Sequence, residues 1–207
     1  VSSKWVDDDK KIQIDDNILK WIDDSKALVD AKETETYDLW GDDWKKGFYP
    51  EGKVFSYFGP AWLINFCMAQ DDKGSVANSG RWGATVGPQS FFWGGTWICA
   101  AKGTDDSALV KDIMLKLTTD PEIQKNMVTK DDEFVNNQPV MEEMKDSDYT
   151  SKILGGQNPL PMYCDAAPNI DLSNISNYDQ GCNEEIQKVM KDYFEGKTSK
   201  EEALEAF

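Results

Sequence analysis

Two stretches of this chain set large aromatic side chains beside glycine and proline, and both suit recognition better than bond making. The first is Phe55-Ser-Tyr-Phe-Gly-Pro-Ala-Trp-Leu63, and the second is Arg81-Trp-Gly-Ala-Thr-Val-Gly-Pro-Gln-Ser-Phe-Phe-Trp-Gly-Gly-Thr-Trp97. Glycine and proline mark turns, and turns at strand ends are where binding groups collect. A rigid ring there offers a flat apolar face on which the CH face of a sugar can stack, while Asp, Gln or Arg supply hydrogen bonds to hydroxyls. Each ring has a plainer alternative, which is core packing. Trp5, Trp21 and Phe194 read as core residues, whereas Trp62, Phe92, Trp93 and Trp97 lie beside turns and are the rings to place against a ligand.

The residues needed for catalysis are harder to find. The chain contains no histidine, which removes the commonest general base and every Ser-His or Cys-His dyad. Paired acids recur at Asp7 to Asp9, Asp15-Asp16, Asp23-Asp24, Asp42-Asp43, Asp71-Asp72, Asp105-Asp106 and Asp131-Asp132. Sequence neighbours point different ways on a helix or strand, so these pairs read as solvated surface and helix caps. None has the alternate-oxygen spacing of a calcium loop. A glycosidase needs two carboxylates in one cleft; Asp43, beside Trp44 and near Trp40, is the one acid to nominate, with no partner to name. The plainer reading makes it a binding or surface acid. Gly94-Gly95 has no following Lys-Ser/Thr and is no phosphate cradle. Cys67, Cys99, Cys164 and Cys182 form no CxxC pair, so they read as buried thiols, with one Cys164 to Cys182 disulfide as the alternative. Asn174-Ile-Ser176 matches a glycosylation acceptor by three letters only. No cofactor or metal is called for.

Bulk properties narrow the partners. The 207 residues carry 38 acidic and 22 basic side chains, a formal charge of −16. Phosphate backbones and anionic lipid surfaces are bound through Lys and Arg, so this balance argues against both. A hydrophobic content of 40% with 12% aromatic residues is enough for a globular core. No run of about 18 apolar residues occurs, and the first residues lack a secretion signal. The chain opens at Val1 with polar sequence already leading into a helix, so it reads as a piece of something longer.

The elements that must carry these residues can be traced from start and stop signals. Asp16 is placed as the cap of a helix with Ile18, Leu19, Ile22, Leu28 and Val29 on its apolar side. Lys53 to Phe58 reads as a strand ended by Gly59-Pro60, and a helix from Pro60 is expected to hold Trp62, Leu63, Phe66 and Ala69 on one face. Strands are expected at Trp82 to Val86 and Thr96 to Ala101. Asp105 or Asp106 caps a helix bearing Leu109, Ile113 and Leu117, and Asp120-Pro121 starts the next. Asn136 to Asp179, with Pro139, Pro159, Pro161 and Pro168, reads as a long irregular loop. Glu184 to Phe194 is helical, Gly196 stops it, and Ser199 with Glu202 forms a capping box for a last helix. Strands alternating with helices point to an α/β layer architecture, with ligands beyond the strand ends.

In this order the motifs resemble the carbohydrate-type extracellular solute-binding proteins of ABC importers, the broad family that includes maltose-binding protein. The matching elements are Gly52-Lys-Val leading to Gly59-Pro60 and Trp62, then Trp82-Gly-Ala-Thr-Val-Gly-Pro88, then Trp93-Gly-Gly95. Leu117-Thr-Thr-Asp-Pro-Glu-Ile-Gln124, Leu154-Gly-Gly-Gln-Asn158 and Gly196-Lys-Thr-Ser-Lys-Glu-Glu-Ala203 follow as in the family's closing portion.

The resemblance implies a periplasmic-binding-protein-like (type II) α/β lobe with crossover segments, representing the C-terminal half of a two-lobed receptor. Residues 1–90 and 150–207 would form mainly one lobe, and 91–149 would cross toward the other. It places Trp62 near the family's stacking position, with Ala61 intervening after Pro60, and Trp93, Gly94 and Gly95 on the cleft-lining loop. Gln89 and Phe92 carry over more loosely, and Asp43 with Trp44 are added from local sequence. The implied protein binds a sugar or oligosaccharide without catalysis, docks on transporter membrane subunits, and is held at the cell surface or in the periplasm by a lipid anchor outside this chain. Because such a ligand touches both lobes, the isolated chain is expected to bind it more weakly than the intact receptor. The other readings are a glycoside hydrolase or carbohydrate-binding module, and a peptide or polyamine receptor on the same scaffold, which the acidic charge suits.

Overall fold

Side-chain caps open most of the helices, as the acid-rich sequence leads one to expect. In the computed structural model, which describes residues 2–68 and 74–207, the Asp15 carboxylate accepts a hydrogen bond from the Ile18 N–H at 2.9 Å, and α1 (Asp16–Asp30) begins one residue later than its cap. The cap is therefore Asp15 rather than Asp16. Burial pushes the Asp15 carboxyl up, but bonds from the Ile18, Ser2 and Ser3 amides and the Ser2 hydroxyl outweigh it and hold the group below its ordinary value. A single turn, α2 (Asp42–Lys45), follows. Asp106 caps α3 (Ser107–Thr119), and Asp120 accepts from both Glu122 and Ile123 to open α4 (Pro121–Asp131). The Ser199 and Glu202 capping box opens α8 (Lys200–Ala206), and Gly196, at φ 75°, lies just past the preceding helix α7 (Asp179–Phe194).

The chain divides into two units, Val1–Trp44 with Leu172–Phe207, and Lys45–Asp171. In the first, α1, α7 and α8 close over Trp5, Ile22, Ile186, Met190 and Ala203, with Ile22 and Met190 fully buried. Trp5 meets Phe207 edge to face, its indole N–H donating to Asn183 Oδ1 at 2.9 Å. Lys200 pairs with Asp23 across this unit at 2.5 Å. Trp21, expected in the core, is 37% exposed and lies edge-on to Phe194.

The second unit is built on α4, α5 (Gln138–Lys145) and α6 (Leu160–Ala166), which bury Val128, Val135, Val140, Met141, Met144, Leu160 and Cys164 together. Two of these helices occupy sequence read as irregular loop. The prolines there suggested interruption, yet Pro139 and Pro161 sit in first turns, where the missing N–H is not needed and the fixed φ favours the helix. Asn158 joins the pair, donating to the Lys145 carbonyl at 3.1 Å and accepting from the Leu160 N–H at 3.0 Å. By contrast α3 buries no residue, and Leu109 and Ile113 on its apolar stripe are 54% and 46% exposed.

The expected strands are the main departure. Among the described residues the backbone pairs as β-structure only at two isolated bridges, Val6 with Ile12 and Ser151 with Gln157. Residues 53–58, 82–86 and 96–101 have no helix and no ladder. β-Branched and aromatic residues fit a half-buried pleated surface, but a strand also needs a neighbour for its N–H and C=O groups. These runs form no β-ladder among the described residues, and Phe55, Phe58 and Trp97 stand 97%, 79% and 79% exposed. No disulfide joins Cys164 to Cys182 or any other pair. No helix of the described residues is long and apolar enough to cross a membrane.

Candidate functional site

The aromatic stretches are fixed to the second unit at a few points. Tyr57 packs between Phe48, a fully buried ring, and Trp82, with centroids 5.0 and 6.0 Å away. Burial raises the Tyr57 hydroxyl above its ordinary pKa. Gln157 then treats Ala84 as a strand would: its Oε1 accepts from the Ala84 N–H at 2.8 Å, and its Nε2 donates to the Ala84 carbonyl at 2.7 Å. Beside that clamp two glycines touch. A Cβ on Gly155 would stand 2.4 Å from the Gly80 carbonyl oxygen, and both residues have φ near 63°. The Leu154-Gly-Gly-Gln-Asn158 segment thus anchors the start of the second aromatic stretch.

Trp62 and Trp93 meet at the far end of these anchors. The Trp62 Nε1–H donates to the Trp93 carbonyl oxygen at 2.9 Å, and the rings are edge to face with centroids 5.6 Å apart. Trp62 is half-buried, while Trp93 is 41% exposed. Their meeting brings together two residues 31 positions apart that the sequence placed in one site. Gly94 and Gly95 follow at φ 65° and 139°, conformations that side-chain-bearing residues rarely adopt, and a Cβ on either would meet nothing within 4 Å. Glycine is required here by the backbone turn and not by crowding.

The other nominated residues are described in turn by exposure and by unit. Phe92 is 44% exposed, and Gln89 is exposed. Asp43 and Trp44 belong to the first unit, where Trp44 packs edge-on against Trp40 with centroids 5.0 Å apart. Phe66 lies in a segment that the sequence read as ordinary helix. Helical spacing set it on one face with Trp62, Leu63 and Ala69, of which Ala69 lies outside the described residues; its ring does meet Trp62, with centroids 6.2 Å apart. The helix does not continue as such: Ile64–Met68 winds as a π-helix, and Phe66 is 80% exposed while Leu63, Cys67 and Met68 are buried. The wider π turn changes which positions face inward, and no 3.6-residue pattern could show that. Burial raises the Cys67 thiol, with Lys45 acting in the opposite sense.

Shifted carboxyl and hydroxyl groups collect elsewhere in the same unit. The Tyr149 hydroxyl donates to Asp132, and burial with that bond drives its pKa far up. Tyr163 is pushed up to about 12, by burial and then by Asp132. Glu133 is raised by burial and by its neighbours Asp131 and Asp132. Tyr149 and Tyr163 pack against the α4 to α6 core. No group of three or more acids and cysteines among the described residues is arranged to hold a metal ion. The Trp62–Trp93 pair beside the Gly94-Gly95 turn is where the sequence-nominated rings come together.

A family model described as bacterial extracellular solute-binding protein matches residues 4–154. No curated protein and no solved structure matches the chain.

Proposed function

Since the chain belongs to the bacterial extracellular solute-binding proteins, the family that delivers ligands to ABC importers, we propose that its ligand is a sugar or oligosaccharide held at the Trp62 and Trp93 surface. The observation that carries this reading is the hydrogen-bonded, edge-to-face Trp62–Trp93 pair next to the Gly94-Gly95 turn. Stacking on a fixed ring holds a neutral polyol without covalent chemistry. No catalytic step is assigned. Membrane subunits of a transporter are the protein partners, and anchoring at the cell surface or retention in the periplasm belongs to the same proposal.

The type II α/β lobe is part of the proposal too. Residues 53–58, 82–86 and 96–101 have the composition of strands and lack only partners. Supplied with neighbours, they would put both aromatic turns at strand ends, where α/β proteins bind ligands.

A formal charge of −16 favours a second reading, a receptor for cationic peptides or polyamines. Calorimetry of the full-length protein against neutral sugars, peptides and polyamines separates the two. Heat with sugars, and no release of reducing ends on prolonged incubation, supports the sugar reading. Heat with polyamines alone overturns it, and release of reducing ends replaces it with a glycoside hydrolase.

A further inference from the structure

We propose that the cavity beside Arg81 is a second binding site, which takes a monocarboxylate on the Arg81 guanidinium. This goes beyond the sugar reading, because none of the residues assigned to the sugar lines the cavity. Its volume is about 200 Å³, and it lies wholly within the second unit, lined by Pro50, by residues of the short turn Val76–Ser79 and by Arg81. Such a volume admits a small organic acid, or the acid end of a larger solute.

Charge selects the ligand. Arg81 is the only arginine of the chain, and it is the only charged side chain in the lining of the cavity. The ion pairs among the described residues all use lysine. The Arg81 guanidinium is exposed and makes no ion pair or hydrogen bond with a described residue. In a chain with 38 acidic side chains and a formal charge of −16, it is an uncommitted cation. Its planar fork of N–H donors matches a carboxylate with two parallel bonds. One positive charge balances one negative charge, so a monocarboxylate is matched, whereas a phosphate dianion finds no second cation in the lining.

The main chain holds Arg81 from both sides. Gly80, at φ 63°, sits so close to Gly155 and the Lys152 carbonyl that a Cβ would stand 3.2 Å from the Gly155 Cα and 3.3 Å from the Lys152 oxygen. The Gly80 N–H also donates to the Ala77 carbonyl at 3.3 Å. On the other side Trp82 packs against Tyr57. Within the lining, Ser75 is 3% exposed, and its hydroxyl donates to the Met68 carbonyl at 3.4 Å while accepting from the Ala77 N–H at 3.2 Å. The cation is thus presented from fixed backbone beside an ordered turn, which lowers the cost of ordering the site when a ligand arrives.

The test is saturation-transfer NMR on the full-length protein with acetate as the probe. The unsubstituted protein is expected to bind acetate saturably. Arg81→Gln, which removes the charge, is expected to abolish the transfer, and Arg81→Lys, which keeps the charge without the fork, to weaken the affinity about three- to tenfold. Because the Arg81 side chain is exposed, circular dichroism of both variants is expected to match the unsubstituted protein; if Arg81→Gln fails to fold, the weaker binding of Arg81→Lys still decides. Competition then distinguishes the sources of the carboxylate. Glucuronate displacing acetate at a lower concentration than propionate does supports the acid group of a sugar, and the reverse order supports a free acid. Neutral glucose is expected to displace no acetate in either case. Phosphate displacing acetate more readily than both acids, or acetate binding unchanged in Arg81→Gln or Arg81→Lys, overturns the site while leaving the sugar reading intact. No saturable binding of acetate by the unsubstituted protein overturns it as well, whatever the calorimetry with neutral sugars gives.

Discussion

The indole N–H of Trp62 is bonded to the carbonyl oxygen of Trp93 at 2.9 Å, so the ring at one wall of the surface also fixes the backbone that leads into Gly94-Gly95. A single residue therefore both offers a face and orders its neighbour. Trp62→Phe keeps a ring and deletes the donor to the Trp93 carbonyl. Loss of such a bond is worth about 1 kcal/mol, or several-fold in sugar affinity, whereas Trp62→Ala, which also removes the stacking face, is expected to lose tens-fold or more. Calorimetric titration of both variants checks the order.

The Gly80 and Gly155 contact makes a stability prediction. Gly155→Ala forces a methyl group to within 2.4 Å of the Gly80 carbonyl oxygen at a φ of 63°, whereas Gly156→Ala, at φ 92°, meets no atom within 4 Å. Backbone strain alone costs about 1–3 kcal/mol, and the clash adds to it at Gly155. Urea denaturation is expected to show Gly155→Ala as the more destabilised of the two.

Gln157 is expected to tolerate no charge. Gln157→Ala removes both bonds to Ala84 and is expected to cost about 1–3 kcal/mol in the same denaturation assay. Gln157→Glu still accepts from the Ala84 N–H but sets a carboxylate oxygen against the Ala84 carbonyl at 2.7 Å, so it is expected to destabilise and to recover as the pH falls and the carboxyl takes up a proton.

Helix starts were the most legible part of the fold, because a cap depends on three or four adjacent residues. Asp106, Asp120 and Ser199 with Glu202 were readable for that reason. The α5 and α6 helices were missed because Pro139 and Pro161 carry opposite meanings in a loop and in a first turn, and only packing against Val128 and Leu160 decides between them. The runs at 53–58, 82–86 and 96–101 have strand composition without strand partners, and composition cannot report who the neighbour is. In the proposed site, Gly and Pro surroundings drew attention to Trp62 and Trp93, but their contact joins positions 31 apart and could not be read from sequence. The π turn that carries Phe66 was not legible, because a 3.6-residue pattern cannot show it.

Glu133 supplies a pH prediction. Its carboxyl is raised by burial and by Asp131 and Asp132, so the folded state binds its proton more tightly than the unfolded chain does. Such a group weakens the fold above its folded pKa and stops doing so as pH falls below its unfolded value. Glu133→Gln is therefore expected to raise the urea midpoint at neutral pH, with the advantage shrinking as the pH drops through the carboxylate range. An advantage that grows on acidification contradicts the burial of a charged Glu133.

The proposed sugar site is tested most directly by tryptophan fluorescence of the full-length protein during titration with neutral mono- and oligosaccharides, run in parallel on Trp62→Ala. A saturable change that is lost in Trp62→Ala, with far-ultraviolet circular dichroism unaltered, is the expected result. A saturable change of equal size and midpoint in Trp62→Ala, or none in the unsubstituted protein, contradicts the placement of a sugar on Trp62 and Trp93.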